Sequence, residues 1–329
     1  MKYRFILITL VLLALGLTTA YAGNTKRLGT AGAQELLIPV GSRGTAMGGA
    51  VLADVSGIEA MYWNPAGLAD LEGTEAMFTH LPYMADIDIN FFGIATYLEG
   101  LGTVGVGAKI VDIGTIQETT EADPDGTGRE FSPTLTVLNL TYSRILTANV
   151  SVGVNAMYIR EDIFEVSASG VAFDVGFTYD PGWRGLRLGL VVKNYGPEMS
   201  FSGRGFERSL GQRPARPNAA TFDLPSSLNI GLSYDLLDQG PSVASLSGNF
   251  RSNNYSQDQW TGGFEYAYNE RYFLRGGYTY ADQDEFVYGA TFGAGLTYPM
   301  GDTKLIFEYA WNDVETFDAN QYFTLRFAF

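Results

Sequence analysis

The chain has 329 residues, with 36 Asp and Glu against 21 Lys and Arg for a net charge of −15, one His and no Cys. Without cysteine there is no disulfide framework, zinc thiolate site, iron–sulfur cluster or thiol nucleophile, and so acidic a chain is no nucleic-acid binder, because phosphate contacts need Lys and Arg. A hydrophobic content of 46% excludes disorder, and 40 glycines beside 14% aromatics point to an all-β chain.

Residues 1–22 read as an export signal. Lys2 and Arg4 form its basic start, Phe5 to Leu17 its apolar core, and Ala20-Tyr21-Ala22 a small-x-small cleavage step. The core is shorter than the roughly 20 residues a helix needs to cross a bilayer. Residues 23–73 have little apolar bulk and no alternation, too small for a comfortable core of their own. They read as a segment packed inside or against something larger. Gly41 to Ala50 is a tight glycine-rich stretch, and 54–62 is expected as a short helix, capped by Asp54 or Ser56 and ended at Asn64-Pro65.

From Thr74 the pattern changes to period two. Fourteen strands are expected, over 74–80, 87–98, 102–113, 133–145, 148–160, 168–179, 185–194, 222–235, 242–251, 258–268, 272–281, 288–298, 303–312 and 320–329. Most reach the ~9–11 residues of a tilted membrane crossing. The eighth is expected to start later than 222, since Pro225 lacks a ladder donor. Val171, Phe173, Val175, Phe177 and Tyr179 share one face, opposite Asp174 and Thr178. The same contrast sets Leu228, Ile230, Leu232 and Tyr234 against Asn229 and Ser233, and Leu305, Phe307, Tyr309 and Trp311 against Lys304 and Glu308. In the second strand, Ile87, Ile89, Phe91, Ala95 and Tyr97 are expected on the lipid side, with Phe92 and Ile94 joining Met157 and Ile159 in an apolar patch inside. The long connections, 114–132 and 195–221, fall at one end and the short turns at the other, and the chain ends on Phe323, Leu325, Phe327 and Phe329 on one face. A 14-stranded antiparallel transmembrane β-barrel of the outer membrane follows, over 74–329. In hydrocarbon every backbone group must be paired, so the sheet has to close.

Inward positions carry Asp88, Lys109, Asp112, Asp174, Arg187, Lys193, Glu265, Arg275, Lys304, Glu308 and Arg326, read as a salt-bridged lumen. His80 lies near the outer rim. Asp123, Asp125 and Glu130 around Gly126 and Gly128 match only part of a calcium loop. Phe201, Arg204, Phe206, Arg208, Arg213 and Arg216 make the 195–221 loop the candidate partner-binding surface.

The stretch Pro39-Val40-Gly41-Ser42-Arg43-Gly44-Thr45-Ala46-Met47-Gly48-Gly49-Ala50, then Asp54, then Asn64-Pro65-Ala66-Gly67-Leu68, resembles the amino-terminal pattern of the PorV/PorQ outer-membrane proteins, which are related in architecture to FadL-type fatty acid channels. The resemblance implies that 23–73 is a plug in the lumen. Arg43 and Asp54 are expected to pair and lock it to the wall, Gly48 and Gly49 to allow close backbone approach, and Asn64-Pro65 to turn the chain into the first strand. It also implies a role in type IX-like secretion or surface attachment, with a secretion component or exported protein as partner. A FadL-like transporter of long-chain fatty acids or other hydrophobic small molecules is the alternative, and a structural barrel with a sealed lumen the third. In each case outer-membrane lipids surround the chain, no cofactor is implied, and it is not an enzyme.

Overall fold

The computed structural model describes residues 29–204, 208–210, 213–215, 219–281, 288–314 and 317–329. The expected export signal, 1–22, lies outside them. The barrel strands are β1 (Thr74–Pro82), β2 (Asp88–Leu98), β3 (Gly102–Asp112), β4 (Thr134–Thr147), β5 (Val150–Ile163), β6 (Val166–Tyr179) and β7 (Arg187–Tyr195) in the first half of the ring. The second half is β8 (Ser227–Gln239), β9 (Ser242–Asn253), β10 (Gln259–Tyr268), β11 (Tyr272–Ala281), β12 (Tyr288–Met300), β13 (Thr303–Val314) and β14 (Asn320–Ala328). Each pairs antiparallel with its neighbour in sequence, and β14 returns to β1 from His80↔Phe323 to Glu75↔Ala328, so the sheet is closed. All fourteen expected strands are present. The eighth begins at Ser227, past Pro225, while Thr221–Phe222 pairs separately with Met199–Ser200.

The outer face is apolar. Val171, Phe173, Val175, Phe177, Leu228, Ile230, Leu232, Phe264, Phe307 and Phe327 are all exposed. That belt suits hydrocarbon rather than water. β2 departs from the expected facing. Phe91 is 4% exposed and Phe92 57%, with Ile89 and Ala95 buried and Ile94 exposed. The strand is therefore turned over, and Phe92 and Ile94 leave the interior patch, while Met157 and Ile159 remain in it. Asp88 and Asp112, which pair with each other at the outer ends of β2 and β3, are exposed on that same outward face. With apolar residues on both sides of β2, alternation cannot choose, and packing decides. Phe91 and Ala95 join an apolar core with Val51, Leu52, Ile58, Met61, Trp63 and Leu68 of the amino-terminal segment.

That segment lies within the ring of strands. Inward glycines sit directly against it: Gly105 against Met61, Gly153 against Pro65, Gly176 against Asn64, Gly189 against Leu52 and Gly277 against Met47. A Cβ at any of these would collide with it. Its short elements are a 3₁₀ turn (Gln34–Leu37), α1 (Ser42–Ala46), α2 (Ala60–Trp63) and a second 3₁₀ turn (Pro65–Asp70). The helix expected over 54–62 is only α2, because Gly57 takes φ 69° and its α-carbon abuts Glu75. The segment runs against the direction of β1. Ala31 bridges Asp223 in the long β7–β8 connection, and the second 3₁₀ turn leads into Thr74 at the short-turn end.

Candidate cavity and its charged seat

A cavity of about 480 Å3 opens at the end of the barrel that carries the long connections. Its floor is the segment, through Gln34, Glu35, Leu37, Ile38, Pro39, Tyr62 and Trp63. Its walls are the outer ends of the strands, with Val111, Leu135, Thr261, Thr279, Thr291 and Tyr322, and Tyr83, Ile87 and Tyr255 from connections. This volume and this mainly aromatic and aliphatic lining are those of a small-molecule site. One cation reaches it. Arg251 donates through Nε to Asn229 Oδ1 at 2.9 Å and through Nη1 to Gln259 Oε1 at 3.3 Å. Both partners are neutral, and Arg251 has no ion pair among the described residues.

Under the floor, Tyr62 and Trp63 meet edge to face with ring centres 5.0 Å apart. Tyr62 donates to the Leu37 carbonyl at 3.1 Å, and the Lys193 ammonium lies 3.7 Å from its ring centre. Burial pushes the Tyr62 hydroxyl above its usual range. Lys109 donates to the carbonyls of Glu35 at 2.6 Å and Ile38 at 3.0 Å. Beside Lys193 the wall is irregular. Asn194 takes φ 56°, and the β6–β7 register shifts between Phe173 and Val175. There the Asn194 N–H donates to the Asp174 carboxylate at 2.7 Å, and its side chain donates to the Pro225 carbonyl at 3.1 Å. The strand resumes at Met199, where Phe201 pairs with Ala168.

A chain of alternating charges seats the segment. Arg43 pairs with Asp54 at 3.0 Å inside the segment and with Glu265 of β10 at 3.0 Å. Arg275 of β11 links Glu265 to Glu308 of β13, the latter at 2.7 Å. Arg326 of β14 links Glu308 at 3.2 Å to Glu75 of β1 at 3.1 Å. Glu75 then accepts the Ile58 N–H at 3.2 Å, which brings the chain back to the segment. Nearby, Glu59 accepts the Gly44 N–H at 2.8 Å. Burial, with Glu308 close by, pushes its carboxyl up to about 7.

The structure thus brings Arg43 and Asp54 together, and Glu265 supplies their tie to the wall. Gly48 approaches Thr261 and Thr279, and Gly49 the Trp63 ring. Asn64 caps the second 3₁₀ turn by accepting the Ala66 N–H at 3.2 Å, and donates to the carbonyls of Leu52 at 2.7 Å and Phe177 at 3.2 Å. Pro65 opens that turn, so the step ends one helix and starts another before β1. On the candidate partner loop, Phe201 stacks on Phe222 with ring centres 5.7 Å apart, and Arg204 is exposed. Arg208 and Arg213 lie on two short paired strands, Arg208–Leu210 and Arg213–Ala215, while Phe206 and Arg216 fall outside the described residues. His80 bonds Asn90 at 2.9 Å at the outer rim. In the acidic loop, Glu118 pairs with Arg129 at 3.5 Å, and no cluster of three or more metal-ligating side chains occurs among the described residues.

No protein-family description matches the chain, and no curated protein matches it. Solved structures do. The CymD monoaromatic hydrocarbon channel superposes with TM-score 0.57 at 15% identity, over 89% of this chain and 98% of that one. This is a FadL-like barrel fold. A Pseudomonas aeruginosa FadL homologue gives 0.55 at 13% identity over 89% and 98%, and the Pseudomonas putida toluene transporter TodX 0.53 at 14% over 88% and 97%. At these identities the likeness concerns the fold. A closed fourteen-stranded barrel with an apolar outer belt is the build of a bacterial outer-membrane protein.

Proposed function

We propose that this chain is an outer-membrane channel for hydrophobic small molecules and not an enzyme. The observation that carries this is the cavity of about 480 Å3, open to the outer end and floored by the amino-terminal segment. A ligand entering it meets aromatic rings and aliphatic side chains, and a polar end can reach Arg251. The segment below acts as the plug. The wall beside Lys193 and Asn194, next to the floor, is irregular, with side chains standing in for ladder bonds. Two of the structures named above, a monoaromatic hydrocarbon channel and a toluene transporter, share the fold, which supports transport over a purely structural barrel.

The secretion-accessory reading rests on the amino-terminal motif. It has less support here, because Phe201 on the proposed partner loop is engaged with Phe222 and not free. The test is equilibrium binding of labelled toluene and decanoate to purified protein in detergent, with Leu135→Trp filling the cavity from its wall. Saturable binding that weakens about tenfold or more in the variant, a loss of about 1.4 kcal/mol, is expected. No binding of either probe, with a secretion component co-purifying instead, overturns the proposal.

A further inference from the structure

The polar side chains that line the cavity are for the most part committed within the protein. Thr45 donates to the Gly41 carbonyl at 2.8 Å, Thr279 to Gly48 at 3.3 Å and Thr291 to Ala46 at 2.9 Å. The Tyr62 hydroxyl is spent on the Leu37 carbonyl. Two lining residues are placed differently. Asn312, at the outer end of β13, is 8% exposed, and its Oδ1 has no hydrogen-bond partner among the described residues. Its neighbours in register are Thr291, already bonded to Ala46, and Asn320. Glu35, on the floor, also has an unserved oxygen, Oε1, but lies deeper at 2% exposed. Burial, reinforced by Glu161, pushes the Glu35 carboxyl up to about 7, so near neutral pH it keeps its own proton part of the time and is the weaker acceptor. A buried acceptor without a donor costs free energy, and Asn312 therefore marks a point of the cavity wall where a donor fits. The cation of the cavity, Arg251, stands on β9, four strands away round the ring, and is held only by the neutral Asn229 and Gln259.

We propose that Asn312 is a hydroxyl seat, and that the ligands of this cavity are apolar carboxylic acids with a hydroxyl far from the carboxylate. The proposal rests on the reading of the cavity as a small-molecule site and names the class of molecule it takes. Four strand spacings, roughly 19 Å along the wall, separate Arg251 from Asn312, so one polar group cannot serve both. A plain hydrocarbon serves neither, and a plain fatty acid serves only Arg251. A hydroxy acid serves both: its carboxylate accepts from the Arg251 guanidinium and its hydroxyl donates to Asn312 Oδ1. The chain between them lies against Ile38, Val111 and Leu135, which line the same space. A site with a hydrogen-bond partner set out for a hydroxyl discriminates against the analogue that lacks it. The cavity is open to the outside, where water competes for the same bond, so the preference is moderate.

The test compares labelled decanoate with 10-hydroxydecanoate, which differ by a single terminal hydroxyl, and with toluene, all by equilibrium binding to the purified full chain in detergent. The hydroxy acid is expected to bind about tenfold more tightly than decanoate, the worth of one good hydrogen bond. Asn312→Leu and the smaller Asn312→Ala are each expected to abolish that preference and leave decanoate binding unchanged, which also reports an intact fold. Arg251→Gln is expected to weaken both acids alike, keep their ratio and leave toluene unaffected. Equal affinity for the two acids in the native chain, or a preference that survives both Asn312 variants, overturns the hydroxyl seat and leaves the channel standing. Saturable toluene binding with neither acid bound overturns the ligand class alone, whereas no binding of any probe overturns the channel and the seat together.

Discussion

The two sides of the barrel hold the same segment by different forces. Along β2, β3, β5, β6 and β7 the contacts are chiefly apolar side chains and bare backbone against inward glycines, and the cations there, Lys109 and Lys193, meet segment carbonyls and the Tyr62 ring. Along β10, β11, β13, β14 and β1 they are an unbroken row of ion pairs beginning at Arg43 and ending at Glu75. The difference is one of tolerance. An apolar contact can lose a methyl group and repack in part. A buried ionic row cannot lose one member without leaving its neighbours charged and unpaired.

The sharpest way to break the comparison is to remove the centre of the row. Glu308 is fully buried between Arg275 and Arg326. Glu308→Ala is expected to cost about 3–5 kcal/mol, read from denaturant unfolding in micelles. A change too small to detect there would mean that the row contributes nothing to seating. The next effect is a pH dependence on the ionic side. The Glu59 carboxyl is held up to about 7, above the ordinary carboxylate range. Its contribution to stability is therefore complete below that ordinary range and fades as pH rises through 7. Unfolding midpoints measured between pH 4 and 8 are expected to fall with rising pH, and Glu59→Gln is expected to flatten the fall in part, with Glu35 among the groups that sustain the rest. The smallest effect belongs to the apolar side. Ile58→Val trims one methyl from a fully buried core residue and is expected to cost about 0.5–1.5 kcal/mol. A cost as large as that of Glu308→Ala would erase the distinction between the two sides.

The strands were legible because alternation is a local property. Val171 to Tyr179 and Leu228 to Tyr234 declare their faces without reference to any neighbour. β2 was not, because Phe91 and Phe92 are adjacent and equally apolar, and only contact with Ile58 and Leu68 decides which turns inward. Arg43 and Asp54, eleven residues apart, were within reach of sequence reasoning. Glu265, Arg275, Glu308 and Arg326 were recognisable as inward charges, but their order as partners depends on the register of five strands. The cavity was the least visible feature. Its walls come from single residues at the ends of many strands, such as Leu135, Thr279 and Tyr322, and no stretch of sequence contains them together. One hint was present in Tyr62-Trp63, two large rings in a segment otherwise poor in bulk. The abundance of glycine also meant more than turns, since Gly153, Gly176 and Gly189 make room for the segment.

Arg326 and Glu75 stand on the last and first strands, so their ion pair straddles the seam where the cylinder is zipped shut. The row of charges is complete only once that seam has formed around an occupied interior. A cylinder sealed while vacant would leave Glu265 without Arg43 and Glu75 without the Ile58 N–H. The seam and the seated segment are thus joined in one network of side chains, through Glu75 at one end and Glu265 at the other.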